Sequence, residues 1–285
     1  MFAIIGILVV IGSVIGGYLW HKGNLSVLWQ PSELLIIGGA AVGAFLISTP
    51  LKVIKLTVSA MIGIFTGGTS YSKKDYIDIL MLLNSVFYKI RQQGLVSIES
   101  DVDSPKESSL FNKYPKILKN HHATELITDT LRTVMTTTIA SHELEALIDS
   151  ELEGFLEEEL EPSKAVSNMA DALPALGIVA AVLGIVITMG KMKEPPDILG
   201  QSIAAALVGT FLGVLLSYGF VGPLGRNLEF SAHEKIKYLV VIKVALVSFL
   251  GGSAPKVAVE FGRRIVPVDM RPSFAEIEDT FRKSK

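Results

Sequence analysis

Apolar and polar residues follow one another along this chain in long blocks. Four stretches contain no Asp, Glu, Lys or Arg, and they cover residues 1–21, 34–51, 172–190 and 198–225. A helix needs on the order of 20 mainly apolar residues to cross ~30 Å of hydrocarbon. The pattern therefore predicts four transmembrane helices, at residues 1–21, 34–52, 171–191 and 200–224.

The first apolar stretch occupies the position of a secretory signal but lacks its flanks. It has no basic segment before it and no small-x-small cleavage site, so we interpret it as an uncleaved helix. The four helices leave two short connections, 22–33 and 192–199, and two long segments, 53–170 and 225–285.

Loop charge predicts the orientation of the helices. Basic residues near the membrane favour the cytoplasmic side. The two long segments carry most of them, whereas the short connections hold only Lys22 and the pair Lys191 and Lys193. We therefore expect both termini and both long segments in the cytoplasm, and the short connections in the periplasm. The basic residues that decide this are Lys52, Lys55, Lys73, Lys74, Arg226, Lys235 and Lys237.

The residue pattern of the segment 53–170 predicts helices. Ser72 and Asp75 form a capping-box pattern, and Gly94 is a natural helix stop. Between them an apolar residue recurs every three or four positions, which predicts an amphipathic helix with one apolar stripe. A loop is expected at 101–109 and a further helix at about 117–139. The stripe consists of Ile77, Leu80, Leu83, Phe87 and Ile90.

Nine acidic residues and no basic one lie between 143 and 161. Apolar residues keep a helical period through this run, so the acids should line the solvated face of a packed helix, with a docking surface for a basic partner as the alternative. The apolar run 238–252 is short and contains Lys243, which favours a buried or interfacial helix over a fifth span. Strand signals are scarce, so the fold class should be all-α. The periodic residues are Leu144, Leu147, Ile148, Leu152 and Phe155.

Composition narrows the function. Of 285 residues, 49% are apolar and 19% are charged, against about 25% charged in soluble domains. With no cysteine, thiolate metal sites and thiol nucleophiles are excluded, and a net charge of −2 argues against nucleic acid as a partner. A membrane enzyme would need a site, but His121, His122 and His142 lack a surrounding metal motif, so surface histidines explain them better.

Small residues recur at four-residue spacing in the spans, which allows close helix packing within one chain or between the subunits of a ring. Apart from the end residues His21 and Asp171, the predicted spans contain no ionisable carboxylate, His or Arg. Ion pathways generally need such a group, so a partner would have to supply it while this chain supplies the wall. The small-residue rows are Gly12 with Gly16, Gly39 with Gly43, and Ala205, Gly209, Gly213 and Ser217.

Several motifs resemble the MotA-type flagellar stator family. The third span contains Asp-Ala-Leu-Pro-Ala-Leu-Gly at 171–177 and continues to Gly184, and the fourth contains Ala-Leu-Val-Gly-Thr-Phe-Leu-Gly at 206–213 and Tyr-Gly-Phe-Val-Gly-Pro-Leu at 218–224. Shorter matches occur at 16–19, 30–34, 258–263 and 271–274. The similarity runs along the whole chain in order.

The resemblance implies a four-span protein of the bacterial inner membrane with a large helical cytoplasmic domain and no covalent chemistry. Such subunits form a ring, typically of five, around two copies of a MotB-like partner that brings the missing aspartate. Ion flow would turn the ring, which would push the rotor protein FliG. The nearest alternative is an ExbB- or TolQ-like energiser of envelope transport, but those relatives usually have three spans.

The resemblance also assigns residues. Arg91 and Glu99 match the rotor-contacting charges, and Pro174 and Pro223 match two prolines beside the ion path, where we expect a hinge at one membrane depth. Sodium-driven relatives tend to carry a threonine pair. Thr210 matches one member, but Ala181 replaces the other, which favours protons unless Thr188 compensates.

Overall fold

The computed structural model describes residues 2–66 and 71–283, and within these ranges the chain is helical with no strand. Thirteen α-helices are found there, joined by 3₁₀ turns at Leu95–Ile98 and Phe111–Lys113 and by a π-helical turn at Leu216–Val221. In chain order the helices are α1 (Phe2–Trp20), α2 (Leu25–Leu28), α3 (Pro31–Ser48), α4 (Leu51–Thr66), α5 (Lys73–Gln93), α6 (Glu99–Asp103), α7 (Pro115–Lys119), α8 (His121–Thr136), α9 (Ser141–Met189), α10 (Pro196–Leu215), α11 (Gly222–Leu250), α12 (Pro255–Ile265) and α13 (Phe274–Lys283).

The chain divides into two compact units. The span unit comprises Met1–Thr69 and Glu159–Ser231, and the core unit comprises Ser70–Glu158 and Ala232–Lys285. Both boundaries in the second half of the chain fall inside long helices, α9 and α11. Each unit is therefore made of two segments that are distant in sequence.

Four helical stretches of the described residues are long and apolar enough to cross a membrane: Phe2–Trp20, Leu25–Ser48, Ser141–Met189 and Pro196–Leu250. The all-α fold with four membrane-capable helices is thus confirmed. The last two stretches are much longer than a bilayer requires, at 49 and 55 residues, so only part of each can lie in hydrocarbon.

The core unit begins with the helix that the capping signals predict. Asp75 Oδ2 accepts a hydrogen bond from the Ser72 backbone N–H at 2.9 Å, and the Asp75 N–H is capped by the Ser72 hydroxyl. At the other end, Gly94 has a φ of 84° and donates its N–H to the Ile90 carbonyl. Glycine suits this backbone conformation because it has no Cβ to clash.

Helix α5 is buried more widely than a single stripe. Leu80, Leu83 and Phe87 are buried as predicted, but Tyr76, Ile79 and four others of its residues are also buried. The Phe87 ring stacks on Phe249 of α11 with centroids 4.2 Å apart. Because α5 has apolar neighbours on more than one side, its buried surface is wider than the single stripe that its sequence period predicts.

The segment after α5 differs from the prediction in two places. The expected loop at 101–109 begins with the short helix α6, and the expected helix at 117–139 is split into α7 and α8. The break falls at Asn120, whose side chain accepts a hydrogen bond from the Ala123 N–H. A local side-chain cap of this kind starts a new helix and competes with the continuation of the old one.

The acidic run forms the first part of α9, and its acids lie on the exposed face as predicted. Leu144, Ile148 and Leu152 are buried, whereas Leu147 is 51% exposed and does not belong to the buried face. Lys243 of α11 is itself 8% exposed, and its Nζ donates to Asp149 at 2.6 Å and lies 3.2 Å from Glu145. The lysine in the apolar run 238–252 is thus accommodated by acids in the core unit.

Candidate ion path and contact surface

Helices α9 and α10 pack closely through glycines. A Cβ added to Gly177 would lie 2.8 Å from the Gly209 carbonyl oxygen, and one added to Gly213 would lie 2.7 Å from the Leu173 carbonyl oxygen. Both distances are too short for any side chain. Small residues allow such contact between membrane helices, where apolar surfaces gain little from each other over lipid. The predicted use of the Gly209 and Gly213 row in close packing is therefore confirmed.

A carboxylate lies in the same helix interface. Glu33 is the third residue of α3 and only 7% exposed, and its Oε2 would be 2.8 Å from a Cβ placed on Gly209. Its Oε1 would be 3.8 Å from a Cβ on Gly184 of α9. Oε2 is buried and has no hydrogen-bond partner among the residues that the structure describes.

The expectation that the spans hold no carboxylate is therefore wrong. The charge-free stretch begins at residue 34, but the membrane-capable helix begins at Leu25 and includes Glu33. The side chain is then buried by α9 and α10. The sequence does show that Glu33 precedes an apolar stretch directly. Its burial against two other helices depends on tertiary contacts, so the sequence alone does not predict it.

Ala181 lies beside this carboxylate. It is 7% exposed, and its backbone nitrogen would be 3.1 Å from a Cβ on Gly209, the residue that precedes Thr210. The structure thus brings the Ala181 position of α9 next to Gly209 of α10. Because alanine has no oxygen in its side chain, the Ala181 position offers no hydroxyl beside Gly209.

Thr188 lies elsewhere on α9. It follows Ala181 by seven residues, which corresponds to about 10 Å along a helix. Its hydroxyl donates a hydrogen bond of 2.8 Å to the Gly184 carbonyl of its own helix. The Thr188 hydroxyl therefore lies about two helical turns from the Ala181 position and donates its proton to its own helix.

Pro174 and Pro223 are offset along the packed helices. A Cβ on Gly213 would lie 2.7 Å from the Leu173 carbonyl oxygen, whereas a Cβ on Gly222 would lie 3.9 Å from the Ala170 Cβ. Pro223 directly follows Gly222, and Pro174 lies four residues beyond Ala170, so the two prolines are offset by at least about 6 Å along antiparallel helices. The hinge expected at one membrane depth stays a prediction.

The two prolines also differ in local structure. Pro174 lies inside the continuous helix α9, whereas Pro223 follows the π-helical turn, in which the Gly222 N–H donates to the Ser217 carbonyl five residues back. Proline cannot donate a backbone hydrogen bond, and a widened turn is one way in which a helix accommodates the gap. Of the two prolines, Pro223 is therefore the one that follows a widened helical turn.

Arg91 and Glu99 flank a tight connection in the core unit. Arg91 is exposed in the last turn of α5, and Glu99 is exposed at the start of α6. Between them the Ser97 hydroxyl donates to the Gly94 carbonyl at 2.7 Å, while Ile98 is 1% exposed and anchors the turn in the core. Neither charge takes part in an ion pair within the described ranges.

A buried ion pair that sequence reasoning did not find supports this connection. Lys89 of α5 donates to Asp101 of α6 at 2.6 Å, and the Ser108 hydroxyl donates to the other Asp101 oxygen at 2.5 Å. Asp101 is 6% exposed. Because Lys89 and Asp101 are each two residues from a predicted contact charge, the pair fixes the ends of the two helices that carry Arg91 and Glu99.

The histidines considered for a metal site do not converge. His121, His122 and His142 are exposed, and the His122 ring packs on Phe155 with centroids 4.0 Å apart. The described part of the chain contains no group of three or more residues placed to hold a metal ion.

Two family models match the chain. The motility protein A N-terminal model matches residues 4–94, and the MotA/TolQ/ExbB proton channel family model matches residues 118–239. The chain is 44% identical to Motility protein A of Salmonella typhimurium, over 99% of this chain and 95% of that protein. It is 43% identical to Motility protein A of Escherichia coli, over 100% of this chain and 96% of that protein. The chain belongs to the motility protein A family.

Solved structures share the motility protein A fold. A structure of C. jejuni MotAB aligns with a TM-score of 0.77 at 19% identity, over 95% of this chain and 98% of that chain. The flagellar MotAB stator complex from Bacillus subtilis aligns with a TM-score of 0.72 at 20% identity, over 99% of both chains. The resemblance inferred from the sequence motifs is confirmed.

Membership of the motility protein A family also weighs against the three-span alternative. The N-terminal model covers the first four helices and α5 as far as Gly94. This region includes the two N-terminal membrane-capable helices and Arg91, which the energiser reading does not explain.

Proposed function

We propose that this chain is the ring-forming subunit of a proton-driven flagellar stator, which conducts ions together with a MotB-like partner and turns against the rotor protein FliG. The main observation behind this proposal is that the chain belongs to the motility protein A family over nearly its whole length. The matched channel model fits a chain that works by ion passage and performs no covalent chemistry.

The surface of the span unit supports a ring. Helix α1 has no buried residue, and Cβ atoms added to Gly12, Gly16, Gly39 or Gly43 would meet nothing within 4 Å. The glycines of α9 and α10 are used within the chain, but these two rows are free for other helices. Small residues on apolar faces permit close packing between subunits. We propose five subunits around two partner copies, as the family resemblance implies.

The coupling ion follows from the α9–α10 interface. Replacing water around a sodium ion requires several oxygen ligands, whereas a proton needs one carrier at a time. Ala181 offers no side-chain oxygen beside Gly209, and Thr188 lies seven residues, or about 10 Å, further along the helix. We therefore propose protons as the coupling ion, with sodium disfavoured.

Arg91 and Glu99 form the proposed contact with FliG. Both are exposed and free of ion pairs within the described ranges, on a connection held by the pair Lys89 and Asp101. Exposed charges guide association more than they hold a complex together. That property suits a contact that forms and breaks at every step of the motor.

The chain belongs in a membrane, and we propose the bacterial inner membrane with both termini in the cytoplasm. The excess of Lys and Arg in the segments 53–170 and 225–285 supports this orientation. The core unit and the contact charges would then face the cytoplasmic rotor, and lipids of the inner membrane would surround the exposed apolar helices.

Deletion of the gene tests the function directly. Cells that retain normal flagellar filaments but do not swim would support a torque-generating role. Cells that swim normally point to a second stator or to the energiser alternative. Purification of the tagged chain then separates these two, since a MotB-like partner supports the proposal and an ExbD-like partner contradicts it.

Charge reversal tests the rotor contact. We expect Arg91→Glu and Glu99→Lys each to reduce torque while the protein remains in the membrane. Lys74→Glu is the matched control, because Lys74 is exposed on the same helix at its other end. Normal torque in both single variants and in the double reversal would remove Arg91 and Glu99 from the contact.

Ion choice is tested by swimming speed in sodium-free medium, followed by addition of a protonophore. A proton-driven stator swims in this medium and stops when the proton gradient collapses. Swimming that continues after collapse would contradict the assignment based on Ala181.

A further inference from the structure

Glu33 stands apart chemically from the rest of the apolar helices. Across residues 1–17, 25–48, 172–190 and 198–217 it is the one ionisable side chain. It is 7% exposed, and its Oε2 atom is buried without a hydrogen-bond partner. An ionised carboxylate in such surroundings is strongly disfavoured unless it is paired, so the group is suited to holding a proton.

The ordinary role of an acid at this position is to cap its own helix, and Glu33 does not do so. It is the third residue of α3, where a carboxylate commonly accepts a hydrogen bond from the N–H of the residue before the helix. Gln30 occupies that place, and α3 has no side-chain cap. The side chain turns instead toward α9 and α10.

The neighbours of the carboxylate leave space for it. Gly209 of α10 and Gly184 of α9 both face its oxygens, and a Cβ on Gly209 would lie 2.8 Å from Oε2. Ala206 closes on Gly184, since a Cβ there would be 2.7 Å from the Ala206 Cβ. Two glycines on two helices thus form a cradle that a larger residue would fill.

The parts of α9 and α10 that approach Glu33, residues 172–190 and 198–217, contain no titratable side chain. The nearest titratable residues in sequence lie just outside the apolar stretches. They are His21 and Lys22 before α2, Lys191, Lys193, Glu194 and Asp197 between α9 and α10, and Asp171 and Tyr218 at the other ends of the two stretches. The proton on Glu33 would therefore respond to the ion path and to no fixed counter-ion.

We propose that Glu33 is a proton-binding site in the ion path of this chain. The carboxylate takes up a proton that enters from the side of the short connections and releases it toward the level of Ala181 and Thr210 on α9 and α10. One proton is bound and one is released in each passage, and no other group of this chain changes its protonation. This role rests on the proposed function as a proton-driven stator.

Two substitutions test the role. Glu33→Gln keeps the size of the side chain but cannot exchange a proton, and Glu33→Asp keeps the chemistry with a shorter side chain. We expect Glu33→Gln to lose most of the swimming speed and Glu33→Asp to retain part of it, with a changed dependence on external pH. Glu194→Gln is the matched control, because it removes an exposed acid from the connection between α9 and α10. Membrane levels of each variant are measured in parallel. Parental speed of Glu33→Gln at every pH would overturn the proposal.

Chemical labelling gives a second readout that does not depend on motility. Dicyclohexylcarbodiimide reacts with protonated carboxyl groups in apolar surroundings, and mass spectrometry locates the adduct. In membranes containing the full complex we expect the adduct on the Glu33 peptide, falling at most about tenfold per pH unit as the proton is lost. This result decides the matter if Glu33→Gln does not assemble. Absence of the adduct at every pH would overturn the proposal, whereas a deletion strain that swims and a tagged chain that purifies with an ExbD-like partner would together overturn the stator function and leave the labelling result standing.

Discussion

The span unit and the core unit are stabilised in opposite ways. The core unit buries large side chains such as Phe87, Phe111 and Leu131, and its inward-reaching Lys243 and Asp101 are paired. The span unit makes its closest helix contacts through glycine. Burial of large apolar groups is favourable when water is the alternative, whereas lipid removes that gain and leaves close contact as the main source of attraction.

Unpaired polar atoms sharpen the contrast. Two buried side-chain oxygens lack a partner among the described residues, Oδ1 of Asn84 in the core unit and Oε2 of Glu33 in the span unit. Asn84 is neutral and cannot exchange a proton at ordinary pH, so its cost is only a lost hydrogen bond. Glu33 can change its charge. The same structural defect therefore has a possible function in one unit only.

The largest effect should come from emptying the core unit. Phe87→Ala removes a fully buried ring that stacks on Phe249, and we expect a loss of about 3–5 kcal/mol. Hydrogen exchange of the purified full-length protein should show faster exchange in α5 and unchanged exchange in α10. Phe261→Ala, at a residue that is 52% exposed, is the control. Equal losses in the two variants would contradict the role of burial.

Glycine contacts in the span unit should be next in size. Gly213→Ala places a Cβ 2.7 Å from the Leu173 carbonyl oxygen, and such overpacking costs about 1–3 kcal/mol. Gly200→Ala lies on the same helix with nothing within 4 Å, and alanine there favours the helix by up to about 1 kcal/mol. The midpoint of heat-induced aggregation in detergent should fall for the first and not for the second. A rise of the aggregation midpoint in both variants would show that helix propensity, and not close contact, decides stability here.

The cradle around Glu33 can be tested by a coupled pair. Gly209→Ala alone should reduce stability and swimming, because the new methyl group collides with Oε2. Adding Glu33→Asp shortens the acid and should restore part of the loss, with a coupling of about 1 kcal/mol in the same aggregation assay. Recovery is partial, since Ala180 also lies 3.1 Å from the added Cβ. Strictly additive effects of the two substitutions on the aggregation midpoint would show that Gly209 and Glu33 do not interact.

The smallest effect concerns surface charge in the core unit. Hydrogen bonds from Arg263 hold the pKa of Glu260 at about 2, below its ordinary 4.5, with Arg264 contributing. The stabilisation is therefore present above pH 4.5 and lost as the pH falls through about 2. It should stay below about 1 kcal/mol because such pairs are screened by water. In Glu260→Gln, the protection of α12 against hydrogen exchange, taken relative to the intrinsic exchange rate at each pH, should no longer change between pH 4.5 and 2, and an unchanged response would assign it to another acid.

Local signals were sufficient wherever one segment decides its own structure. The four membrane-capable helices, the capping box at Ser72, the glycine stop at Gly94 and the exposed acids of α9 were all predictable, because each depends on spacing along one helix. The same reasoning misjudged helix continuity at Asn120 and the burial of α5. Those features depend on a competing cap and on neighbours from distant parts of the chain.

The candidate site divides along the same line. Sequence motifs alone identified the family and named the positions of Ala181, Thr210, Pro174 and Pro223. The tertiary structure decided that Ala181 faces Gly209, that the prolines are offset along the packed helices, and that Glu33 is buried between α9 and α10. Composition determines whether a helix can enter lipid. Which side chains meet inside the bundle depends on the register between helices, and that register is set by glycine contacts between residues far apart in sequence.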